Sequence, residues 1–241
     1  MKFLPTLTTT NGSNWKEKFR EIEALDIEEI ALFLTCLPRE HRKTLYDMIK
    51  TSCIKRIPFV HLRSDMDVDE IEFLVKEYGT QIFNTHSERE FPIDREWLVV
   101  YKEFICIENT ANYPLDAEEI KKYGGICLDF AHLENLRLLE LDKYKKEVEV
   151  LSKSLIKCNH ISAIKKEFSF TDSKTLKLRY DSHHMDDLSE LDYLRNYPID
   201  YFSDFCAIEL DNKFSEQLEA IEYINKFMGE RNKLISKMLE D

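Results

Sequence analysis

His61, His86, His132, His160, His183 and His184 fall where short apolar runs end, or in one cluster shortly after such a run. Glu108, Asp129, Asp181 and Glu209 accompany them, and His41 alone of the seven histidines stands apart. Neutral imidazoles and carboxylates are the usual ligands of zinc, manganese and iron. Histidines scattered over a solvated surface would not follow strand ends. A lone histidine at any of these positions would be ordinary packing; the set reads as a metal site assembled from one end of a barrel.

The elements that must position this set alternate. Hydrophobic periodicity predicts strands at Leu4–Thr8, Ile30–Thr35, Pro58–Leu62, Gln81–Asn84, Phe104–Glu108, Ile126–Phe130, Leu155–His160 and Phe205–Leu210. Helices are expected near Trp15–Ala24, Arg39–Thr51, Asp67–Tyr78, Asp94–Lys102, Asp116–Tyr123, Asp142–Ser154 and Asp187–Asn196, with a closing helix from Phe214 to Met238. Asp67, Asp94 and Asp116 each place an anion at a positive helix start. Gly79 and Gly124–Gly125 follow helices where a left-handed residue is wanted. Eight strands and eight helices in 241 residues fit an α/β fold, a (β/α)8 TIM barrel spanning 1–241 as one domain. The apolar positions of the closing helix (Phe214, Leu218, Ile221, Ile224, Met228, Ile235 and Met238) suit packing on the barrel, with a dimer seam as the alternative.

In such a barrel the C-terminal strand ends and the loops after them form one face, where active sites lie. His61, His86, Glu108, Asp129, His160 and Glu209 fall at or within a residue or two of the ends of predicted strands three to eight. His132 lies in the loop beyond strand six, three residues after Asp129, and Asp181 with His183 comes from the long connection after strand seven. Residues two apart on a strand share a face, so Glu108 shares one with Cys106, Asp129 with Cys127 and His160 with Cys158. These cysteines then form a small-residue layer beneath the metals, as packing rather than ligands. With no CxxC pair among the six cysteines, reduced thiols are expected.

Composition narrows the function classes. A hydrophobic content of 43% and an aromatic content of 12% describe a globular chain. The absence of a span-length apolar run or signal-peptide pattern leads us to expect a soluble, cytoplasmic protein without a membrane partner. A net charge of −12 argues against general nucleic-acid binding. It leaves room for a local basic face from Arg39, Arg42, Lys43, Arg63, Arg89, Lys174, Lys177 and Arg179, with Tyr113 and Tyr180 as possible stacking groups. Oligomeric state is not legible.

At Glu108 in "ICIENT", Asp129 in "CLDFAH", His160 in "CNHIS" and Glu209 in "AIELD", the chain resembles the xylose-isomerase-like barrel superfamily. That quartet binds a divalent metal in isomerases and nucleases alike. His61, His86, His132, and Asp181 with His183 in "YDSHH" make it most similar to the apurinic endonuclease IV branch, which holds up to three zinc ions. Thr171–Lys174 ("TDSK") also matches that branch. The glycine-rich stretch usual after the final histidine is absent, and Leu62–Arg63–Ser64 stands where an aromatic is expected.

The resemblance implies a metal-dependent phosphodiester hydrolase acting on abasic-site DNA, with metal-bound hydroxide as nucleophile. Glu108 would bridge two metals, His61 and His86 completing the first and Asp129, His160 and Glu209 the second. His132, Asp181 and His183 would hold the third. The alternative is an isomerase or epimerase of a small sugar or sugar phosphate, using one Mn or Mg with Glu108 and Glu209 as acid and base. A degenerate barrel that binds without turnover is a third possibility.

Overall fold

The computed structural model describes residues 1–10, 13–93, 97–110, 112–170 and 177–240, without the side chains of 97, 98 and 232–240. The first half runs β1 (Lys2–Thr8), α1 (Trp15–Ala24), β2 (Glu29–Phe33), α2 (Arg39–Lys50), β3 (Arg56–His61), α3 (Val68–Tyr78), β4 (Ile82–Thr85) and α4 (Trp97–Tyr101). It continues with β5 (Ile105–Glu108), α5 (Ala117–Ile120), β6 (Gly125–Asp129), α6 (Phe130–Leu139), α7 (Leu141–Leu151) and β7 (Ile156–Ile161). A hairpin, β8 (Ala163–Phe170) with β9 (Leu178–Ser182), precedes β10 (Phe205–Ile208) and α8 (Phe214–Glu240).

Eight parallel strands close in the order β1-β10-β7-β6-β5-β4-β3-β2, a (β/α)8 barrel. Each of the eight predicted strands coincides with a barrel strand to within about two residues at either end. One apolar cluster lies between strands and helices and includes Leu7, Ile30, Val60, Ile107, Leu128 and Ile208. A second fills the barrel with Leu4, Ala31, Phe33, Phe59, Ile82, Cys106, Cys127, Cys158 and Ala207. The two clusters are the two faces of the same strands, as side-chain alternation requires. The seam between β1 and β10 is fastened by Gln217 of α8, fully buried. Its Oε1 accepts from the Thr6 N–H at 2.7 Å, and its Nε2 donates to the Leu210 carbonyl at 3.0 Å.

Several local expectations change. Asp129 ends β6 and starts α6 directly, because its Oδ1 accepts the His132 N–H at 2.8 Å. His132 therefore sits in the first helical turn, not in a loop. The 187–196 segment is a 3-10 helix over Leu188–Asn196, and Asp187 accepts from the Ser189 N–H two residues on. The β8–β9 hairpin was not expected, since its outer residues alternate little and stand largely exposed. Gly79 is the left-handed C-cap of α3 (φ 64°). Gly124 has a different role: a Cβ there would lie 2.1 Å from the Glu103 carbonyl oxygen, so close strand approach at the start of β6 requires glycine.

On α8, Phe214, Ile224 and Met228 are buried against the barrel, while Leu218 and Ile221 pack at its margin. That is the packing role rather than a dimer seam for these five; Ile235 and Met238 lie outside the described side chains. Asp94, Thr171 and Lys174 lie outside the described residues. Among the described residues no helix is long and apolar enough to cross a membrane.

Candidate metal centre

The final inward-facing position of each strand from β5 to β7 is a potential ligand. Register places Asp129 beside His160 and Glu108 beside Cys127. Glu209 follows β10, its N–H donating to the Ile161 carbonyl at 2.8 Å. His61 ends β3, and His86 follows β4. Strands β1 and β2 bring no imidazole or carboxylate to this layer. Phe33 fills their side instead, its ring 4.5 Å from that of His160 and 5.6 Å from that of His61.

Seven of the nine sequence-predicted metal ligands converge. In each of three trios the potential ligand atoms all lie within 4.8 Å of one another: His61, His86 and Glu108; Glu108, Asp129 and His132; and Asp129, His160 and Glu209. Glu108 belongs to two of them. Its Oε2 is 3.3 Å from His61 Nε2, 3.5 Å from His160 Nδ1 and 3.9 Å from His86 Nε2. Cys127 also falls within this radius of Glu108 and His160, in the thiol layer with Cys106 and Cys158. All six cysteines are unbridged. The remaining two ligands are placed differently. Asp181 pairs with Arg179 at 2.5 Å, and His183 Nε2 lies 3.8 Å from Glu209 Oε1. Among the described residues neither joins a trio.

Surrounding groups fix the orientation of these side chains, and two of them were invisible in the sequence. Asn84 donates from Nδ2 to Glu108 Oε2 at 2.7 Å. Asn109 clamps the Asp129 backbone, accepting its N–H at 2.7 Å and donating to its carbonyl at 3.0 Å. No pattern marks an asparagine as a ligand's partner; the only available signal was that both sit on or beside predicted strand ends. His61 Nδ1 lies 2.9 Å from the Leu62 carbonyl and His132 Nδ1 2.9 Å from the Asn109 carbonyl. A carbonyl only accepts, so both rings carry their proton on Nδ1 and keep the Nε2 lone pair free.

These residues fit a divalent cation. Asp129 Oδ2 and both ring nitrogens of His160 are buried without an aligned hydrogen-bond partner. Such orphans are costly unless something satisfies them. Asp129 uses Oδ1 to cap α6, which leaves Oδ2 for the centre.

The electrostatics agree. Burial pushes the Asp129 carboxyl up to about 6, opposed by His132 and reinforced by Glu209 and Glu108. Burial also acts to raise Glu108, but His160 and His61 outweigh it and hold Glu108 well below the usual carboxylate range. Glu209 falls to about 2 because His183 and His160 outweigh its burial. Burial acts to lower His132, yet Asp129 and Asp181 bring it up to about 9. Three carboxylates this close require positive charge, supplied either by protons on the histidines or by a metal that displaces them.

The basic face expected from the sequence is largely committed internally. Arg42 is fully buried, bidentate to Glu70 at 2.8 Å and bonded to Asp65, so it braces α2 against α3 and cannot meet a phosphate. Arg39 pairs with Asp67, and Arg63 with Asp65. Tyr113 lies beside the Arg89 guanidinium and Tyr180 beside Phe168.

Two outcomes follow. Asn84→Ala lowers metal affinity by about 10–100-fold, measured by competition with a chromogenic chelator; unchanged affinity contradicts the positioning role. In metal-free protein, His132 contributes stability present below its unfolded value of about 6.5 and lost as pH rises through about 9. The melting temperature in chelator should therefore fall across that window. His132→Gln should remove this part of the slope, and a slope that survives contradicts the assignment.

No protein-family model matches the chain, and no curated protein matches it. Among solved structures it is similar to one described as the probable 3-DHS dehydratase AsbF involved in petrobactin synthesis from Bacillus anthracis. Identity is 12%, the match covers 93% of this chain and 99% of that one, and the TM-score is 0.45.

Proposed function

We propose that this barrel is a metal-dependent phosphodiester hydrolase whose Glu108 is shared between two divalent cations. The observation that carries this reading is the position of Glu108, grouped with His61 and His86 on one side and 3.5 Å from His160 on the other, where His160 is itself grouped with Asp129 and Glu209. A one-metal site would need only Glu108, Asp129, His160 and Glu209. It would leave His61 and His86 as pocket lining, although His61 is buried and oriented by a backbone carbonyl.

His61, His86 and Glu108 would hold one cation; Asp129, His160 and Glu209, with Glu108, would hold the other. Held there, two cations would supply Lewis acidity, the property that acidifies a water and offsets negative charge on a phosphate oxygen. The protein's own contribution is placement. Asn84 fixes one oxygen of Glu108, Asn109 fixes the Asp129 backbone, and Phe33 packs its ring against that of His160. His132 is held at the edge of the cluster by its Nδ1–H, which donates to the Asn109 carbonyl at 2.9 Å.

The isomerase alternative asks Glu108 and Glu209 to serve as acid and base. A general acid must carry its proton near working pH. In the metal-free protein the facing histidines hold both carboxyls down, Glu209 to about 2 and Glu108 well below its usual range, which suits them as anionic ligands. Abasic-site DNA is the substrate in this reading, with a small sugar phosphate as the competing class.

The test is to incubate metal-loaded protein with a duplex containing one abasic site and, separately, with bis(4-nitrophenyl) phosphate. Cleavage should disappear in chelator and return with zinc or manganese. Protein that leaves both diesters intact while interconverting a ketose and an aldose contradicts the proposal.

A further inference from the structure

The corner of the site formed by β9 holds a buried acid already neutralised by a side chain. Asp181 is 7% exposed, and Arg179, two residues earlier on the same strand, donates from Nη2 to its Oδ2 at 2.5 Å and from Nε to its carbonyl at 2.9 Å. A guanidinium has five N–H donors. The other three have no partner among the described residues, and the Arg179 side chain is 31% exposed. Tyr180, between Arg179 and Asp181, donates its N–H to Asn135 Oδ1 of α6 at 2.8 Å, which sets this strand against the helix that carries His132. His183, on the same side, has its carbonyl bonded by the Asp211 N–H at 2.5 Å and its ring 32% exposed.

With Arg179 holding Oδ2, a cation would reach Asp181 only through Oδ1 and against the charge of the adjacent guanidinium, which makes Asp181 a weak metal ligand. This disagrees with the third metal that the resemblance implies at His132, Asp181 and His183. We propose that Arg179 takes the place of that third cation: it neutralises Asp181, and its free donors bind an anionic oxygen of the substrate beside the metals. A fixed fork of this kind is matched to phosphate geometry. The proposal rests on the two-cation reading for its setting, but its measurements do not use turnover.

The experiment combines elemental analysis with calorimetric titration of inorganic phosphate into metal-loaded protein. Wild type should hold no more than two divalent ions per chain, and Asp181→Asn should keep the wild-type count. Arg179→Gln should weaken phosphate by about tenfold, the value of one charge-assisted hydrogen bond, and should either keep the metal count or gain one ion at the freed Asp181. Arg179→Lys retains the pairing with Asp181 and guards against a folding defect; it should keep the metal count and weaken phosphate less than glutamine does. Three ions in wild type, loss of an ion in Asp181→Asn, or unchanged phosphate affinity in Arg179→Gln overturns the proposal. Inert diesters with these results intact would sink the hydrolase reading and leave this one standing.

Discussion

A carboxylate buried at the centre of the barrel mouth sets the terms for everything around it. Glu108 is almost fully buried, and an isolated charge in that position would cost several kcal/mol. Three histidines and one asparagine reach its oxygens from β3, β4, the loop after β4, and β7. No single strand could supply this shell. Closure of the barrel is what delivers three separate backbone segments to one point, so the fold's geometry and the charge at its mouth depend on each other.

The barrel is divided in its use of that mouth. Strands β3 to β7, with the residue after β10, carry imidazoles and carboxylates, while β1 and β2 carry Thr6 and Phe33 on the corresponding side. Phe33 stacks against His160, the ligand candidate whose two nitrogens have no aligned partner. With Phe59 also 5.6 Å from the His160 ring, the two aromatics restrict its rotation. Beneath them Cys106, Cys127 and Cys158 fill the interior as protonated thiols, Cys106 raised by its hydrogen bond with Cys158 and by burial, Cys127 and Cys158 chiefly by burial. Small side chains at that level leave room for the ligands above to tilt inward.

Much of this was legible in the sequence because it follows from period-two alternation and from apolar runs with sharp ends. His61, Glu108, Asp129 and His160 could be placed on one face by counting along predicted strands. What could not be read depends on contacts between distant segments. Asn84 and Asn109 carry no periodic signal, yet they hold Glu108 and Asp129 in place. Arg42 looked like part of a basic face until α2 and α3 packed around it with Glu70. Arg179 and Asp181 sit two apart on β9, and their pairing became visible only with the hairpin, a segment whose exposed, weakly alternating residues gave no strand signal. The helix start at Asp129 was hidden for a related reason: the same residue ends a strand and caps a helix, with one oxygen for each task.

The account's central claim is that Glu108 serves two cations. Crystals grown with zinc or manganese and measured at the metal's absorption edge test it most directly. The account predicts two anomalous peaks about 3.5–4 Å apart, one on the His61 and His86 side of Glu108 and one on the Asp129, His160 and Glu209 side. A single peak within Glu108, Asp129, His160 and Glu209, with His61 and His86 unligated, would contradict it.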